Sequence, residues 1–133
     1  MSKPNPWADL SEVTRDLLPP IAVLREQAQM LSEGTSGVVQ GVVSSDSEAG
    51  RGTILHRFHA TVPALHNFSI ELVRAWHPVT LYPCEVYTDL IGSWTNSVSC
   101  KDAAQLEEVL IQIAQHADIR KVVGALLVQV SPT

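Results

Sequence analysis

The 133-residue chain has little cysteine, little basic charge and no long apolar run, and each shortage removes a class of protein. Two cysteines, Cys84 and Cys100, are too few for a disulfide framework. The opening MSKPNPWADLSEVTRDLLPP lacks the basic segment, apolar stretch and cleavage site of a secretory leader. The expectation is therefore a cytoplasmic protein with free, semi-buried thiols. Nine basic residues against fourteen acidic ones give a formal net charge of −5, and the basic residues are scattered. Nucleic-acid binding needs them clustered on one face, so nucleic acid is not the expected partner. The longest apolar stretch, KVVGALLVQV, is too short to span a bilayer, so no membrane partner is expected either.

Motifs are missing as well. The glycines form neither GxxxxGK[ST] nor GxGxxG between strand and helix, so no phosphate loop is present. SDSEAGRG, residues 45–52, lacks the twelve-residue calcium-loop pattern. Zinc sites draw on Cys/His pairs at short spacing, which the five histidines do not provide. No cofactor and no metal are expected.

What remains is an ordinary globular chain with 45% hydrophobic residues, long enough to bury one core. After a flexible start over residues 1–5, Trp7, Leu10, Val13 and Leu17 line one side of a short helix that Pro19 and Pro20 stop. Pro20 opens a second helix with a stripe of Ile21, Leu24, Ala28 and Leu31, and Gly34 supplies a left-handed end. The pattern then turns to β-branched and aromatic runs, read as strands 38–44, 53–62, 68–76, 79–89 and 94–100, with a mobile hairpin loop at 45–52 and a tight corner at His77–Pro78. Pro83 suggests an edge or a bulge in the fourth strand. Asp102 with Gln105 makes a capping box for a third helix, and over 119–130 the periodicity favours a fourth helix above a sixth strand. The order predicts one α+β domain over residues 1–133: two layers, with a five-stranded antiparallel meander and the N- and C-terminal helices on one face.

Four of the five histidines fall in residues 54–78, which raises the question of an active centre. Side chains alternate along a strand, so His56 and His59 point to opposite faces and cannot share an ion. A hairpin closing Val62 on Phe68 pairs Ala60 with Ile70, Phe58 with Leu72 and Ile54 with Trp76 on an apolar face, with His56 opposite Arg74. The same register sets His59 against Glu71 on the polar face. Extending it through the corner brings Cys84 beside Glu71, which makes a row of His59, Glu71 and Cys84. The carboxylate separates thiol from imidazole in that row, so it does not form an activated nucleophile and no enzyme is expected.

The function expected on these grounds is a non-catalytic protein-interaction module of the adaptor, chaperone-like or toxin-neutralising immunity type. It would bind a protein partner, or a second copy of itself, through the open sheet face and the 45–52 loop. The contact candidates are His59, Glu71, Tyr82, Tyr87, Trp94, Asp46 and Glu48. The alternative is a small-molecule-binding or hydrolytic domain with a pocket around His56, Arg74, Trp76 and Cys84.

Overall fold

A computed structural model describes residues 3–14, 17–48 and 52–130, and of Glu48 the backbone alone. The elements are α1 (Leu10–Thr14), α2 (Pro20–Gly34), β1 (Gln40–Glu48), β2 (Thr53–Val62), β3 (Phe68–Pro78), β4 (Cys84–Tyr87), β5 (Val98–Cys100), α3 (Ala103–Gln115) and α4 (Ala117–Val130). The strands form one antiparallel sheet in the order β1-β2-β3-β4-β5. This is the meander and the α+β class that the sequence predicts, and the 119–130 segment is helix.

α2 begins as expected, with Pro20 in its first turn after an extended Pro19. Its end is different. Gly34 is still helical, and the left-handed residues are Ser36 and Gly37, at φ 52° and 80°. Thr35 closes the helix: its hydroxyl donates to the Leu31 carbonyl and accepts from the Val39 amide. Ser32 then ties α2 to β1 by accepting from the Gly41 amide at 2.9 Å. Asp102 and Gln105 cap α3 reciprocally, the Asp102 carboxylate accepting from the Gln105 amide and the Gln105 side chain accepting from the Lys101 amide.

The core lies between the sheet and α2, α3 and α4, around Leu24, Val39, Ala60, Val62, Val86 and Leu106. Burial alternates along β2, with His56, Phe58, Ala60 and Val62 inside and Arg57, His59 and Thr61 on the open face. α1 buries nothing. Trp7, Leu10, Val13 and Leu17, the predicted apolar side, are all exposed, Trp7 to 70%, and so is Leu18. Residues 15 and 16 of that segment lie outside the described residues.

The sheet corrects the sequence reading in three places. β1 runs on to Glu48, so residues 45–48 are strand rather than hairpin loop, and residues 49–51 lie outside the described residues. β3 continues through His77 to Pro78, and the chain turns over residues 79–83, where Leu81 has φ 79° and the Tyr82–Pro83 peptide is cis. Pro83 therefore precedes the short β4 and is not within a strand.

The third correction is a bulge. Val62 faces Phe68, Ala60 faces Ile70 and His59 faces Glu71 as predicted, but Phe58 faces Val73, which leaves Leu72 as an extra residue in β3. An extra residue reverses the facing of everything after it. Beyond the bulge Ala75 and His77 turn to the core and Arg74 and Trp76 to the open face, so His56 faces Ala75 and not Arg74, and Leu55 faces Trp76. The Thr88 hydroxyl, itself buried, donates to the Leu72 carbonyl at 2.7 Å and so satisfies a backbone group at the bulge.

Candidate functional site

The predicted row of His59, Glu71 and Cys84 does not form. Trp76 pairs with Glu85 and Cys84 pairs with Cys100, which sets Cys84 on the core face while Glu71 remains on the open one. The Glu71 carboxylate is held by two arginines, Arg74 at 3.0 Å and Arg57 at 3.5 Å. These are partly exposed pairs and contribute little to stability. Cys84 and Cys100 are buried free thiols. Burial first, and then the neighbouring Cys100, pushes the Cys84 thiol up to about 12, and burial followed by Glu85 pushes Cys100 to about 11. A thiol in that state is a poor nucleophile.

The other expected contact residues are dispersed. Tyr82 is partly buried against the core, its hydroxyl donating to the Leu18 carbonyl at 2.9 Å, and burial raises its phenol to about 12. Tyr87 faces Arg74 across the sheet, and its phenol is raised chiefly by a hydrogen bond with Asp89. Trp94 packs on the core from the loop before β5, Asp46 is exposed on β1, and the Glu48 side chain lies outside the described residues.

A polar cluster that the sequence reading missed joins three strands on the core face. The Ser45 hydroxyl lies 2.7 Å from His56 Nδ1, His56 Nε2 lies 2.8 Å from His77 Nε2, and His77 Nδ1 lies 2.8 Å from the Pro78 carbonyl. The last of these contacts fixes one proton, on His77 Nδ1, because a carbonyl can only accept. With both rings neutral, His77 Nδ1 donates to the Pro78 carbonyl, His77 Nε2 accepts from His56 Nε2, and His56 Nδ1 accepts from Ser45. Every donor then has an acceptor. Burial, then His77, then Arg25 depress His56 to about 4. Ser45 and His56 have the spacing of a nucleophile and its base. Yet the base binds protons weakly, and the chain ends on a carbonyl rather than on a carboxylate that would steady an imidazolium. The cluster acts as a fastening between strands.

An open groove lies elsewhere, between the sheet and three helices. A groove of about 540 Å³ has Phe58, Leu72 and Val73 as its floor, at the bulge. Met30 and Leu31 of α2, Leu110 and Ile111 of α3, and Val123, Gly124 and Leu127 of α4 form its walls. Met30 and Ile111 are exposed at 50% and 39% and mark its rim. Gln27, Gln115, Glu107 and Arg120 add polar groups. None of His56, Arg74, Trp76 and Cys84 lines it, so this pocket between sheet and helices is not the one built around those four residues. The one trace of it in the sequence is Gly124, a glycine in the middle of an apolar helical run. A Cβ added there would meet nothing within 4 Å.

No helix among the described residues is long and apolar enough to cross a membrane, and no group of three or more His, Cys, Asp or Glu side chains among them is arranged to hold a metal ion. The fold and the groove define an α+β domain with a helix-walled apolar cleft over an antiparallel meander. Comparison with protein-family models, with curated proteins and with solved structures finds no match to this chain.

Proposed function

We propose that the protein is a non-catalytic interaction module that takes an amphipathic helix of a protein partner into the groove walled by α2, α3 and α4. The supporting observation is the half-used apolar stripe of α4. Ile119, Val122, Val123, Leu126, Leu127 and Val130 recur at helical spacing, yet only Ile119 and Leu126 are buried, and Val123 and Leu127 line the groove. An apolar stripe only partly covered by its own core, beside an exposed apolar rim, fits a helix-in-groove site. The open sheet face supports binding less well, since its arginines and Glu71 already pair with one another.

A second reading, an apolar small molecule in the same groove, is favoured by the volume, which falls within the range of ligand cavities. One experiment separates the two. Amphipathic helical peptides are screened by fluorescence polarisation against the wild type and against Gly124→Leu, which fills the groove where space is open. Peptides with micromolar Kd that weaken at least about tenfold on the filled variant support the protein reading. No peptide binding, together with an apolar molecule retained in native mass spectrometry, transfers the groove to the second reading.

A further inference from the structure

We infer that what is taken into this groove is the segment carrying Trp7, Leu10, Val13, Leu17 and Leu18 of a second copy of the chain, exchanged reciprocally; the inference rests on the reading of the groove as a helix site. The segment and the groove are both unmatched apolar features among the described residues. Trp7, Leu10, Val13, Leu17 and Leu18 are each about half exposed or more, and no residue of α1 is buried. The groove offers apolar walls with an exposed rim at Met30 and Ile111. Covering one with the other removes both from water. A reciprocal exchange does so twice, in a closed twofold dimer.

The root of the segment favours a second copy over the segment's own groove. The Leu18 carbonyl is held by the Tyr82 hydroxyl, and the extended Pro19 leads directly into α2. The α2 residues that line the groove, Gln27, Met30, Leu31 and Gly34, lie in the second half of that helix. From Pro20 to Met30 the helix rises about 15 Å. A segment rooted at the near end must double back along α2 to reach its own groove, and in the structure its apolar residues lie exposed instead. Charge adds direction. Asp9 and Glu12 are exposed on the segment, and Arg120 lines the groove and forms no ion pair among the described residues, with Glu107 the carboxylate that lines it too.

The test is sedimentation equilibrium of the full chain from low micromolar to sub-millimolar concentration, with two variants. Leu10→Asp/Val13→Asp spoils the segment at exposed positions, and Gly124→Leu fills the groove. The wild type is expected to dimerise and each variant to weaken the dimer at least about tenfold. An equimolar mixture of the two variants regains association, because one intact segment then meets one intact groove. Circular dichroism and melting curves confirm that both variants are folded. A wild type that stays monomeric overturns the inference, and so does a dimer that neither variant weakens. If such a monomer still binds unrelated amphipathic peptides in the groove, the interaction reading stands without it. If instead Leu10→Asp/Val13→Asp makes the monomer's groove more accessible to those peptides, the segment occupies its own groove and exchange is ruled out.

Discussion

α2 and α4 both lie over the core face with a glycine at the critical position, and the two glycines serve opposite ends. Gly41 sits in β1 beneath α2, where an added methyl group would fall inside the backbone of Ala28. Gly124 sits within α4, where an added methyl group would meet nothing. The α2 side is closed by backbone approach and by the Ser32 and Thr35 hydroxyls, while the α4 side stands away from the β2–β3 bulge and leaves a cleft. Stability and binding are thereby assigned to different ends of one helical layer. A close contact removes the room a partner would need, and a cleft forgoes the packing that would have filled it.

The strongest way to break this comparison is Gly41→Ala. The methyl group has no flexible side chain to displace, since its neighbours are backbone atoms of Ala28. α2 or β1 must therefore move, at a cost of about 2–3 kcal/mol, and urea denaturation monitored by circular dichroism measures it. A loss below about 0.5 kcal/mol would mean that α2 lifts away as easily as α4, and the two sides would not differ.

The histidine fastening belongs to the closed side and gives the next largest effect. His56 binds its proton at about 4 in the folded chain, against 6.5 when unfolded. As the pH falls through 6.5 the unfolded chain takes up the proton first, so stability present at neutral pH is lost between about pH 6.5 and 4 and levels off below. Between pH 7 and pH 4.5 the loss from this group is about 2–3 kcal/mol. His56→Leu should lower stability at pH 7, because Ser45 and His77 lose their shared partner, and should flatten the decline toward pH 4. Urea melts of both proteins at pH 7 and pH 4.5 decide the matter. An unchanged acid decline in the variant would place its origin elsewhere.

The same bulge explains which part of this was legible in the sequence. Near the Pro63–Leu65 turn the hairpin fixes the pairing, and Val62 with Phe68, Ala60 with Ile70, Thr61 with Ser69 and His59 with Glu71 follow from alternation alone. Past Leu72 the pairing slips by one, and nothing in the residues announces it, because Leu72 and Val73 are both apolar and both suit the core. Arg74 on the core face inherits that slip, whereas Cys84 beside Glu71 comes from ending the third strand at a His77–Pro78 corner, through which β3 in fact continues. The partnership of His56 with His77 was hidden for the same reason. Meander, helices and caps were legible because each rests on local periodicity or a short motif. The groove was not, because it is a space among four elements, and no single stretch of chain encodes a space.

Gly124→Ala has the smallest expected effect and sharpens the comparison most directly. Within a helix, alanine in place of glycine restricts the unfolded chain and shields the backbone, worth up to about 1 kcal/mol. At Gly41 that kind of gain is overwhelmed by the clash with Ala28; at Gly124 nothing opposes it. The substitution should therefore raise the melting temperature when measured in dilute solution, where any dimer is dissociated. If it lowers stability instead, the space over α4 is filled in solution by matter belonging to the chain itself, and the contrast between a closed and an open side fails. If it raises stability while weakening association at high concentration, the glycine is tolerated for what docks against it, since within one chain it carries only a cost.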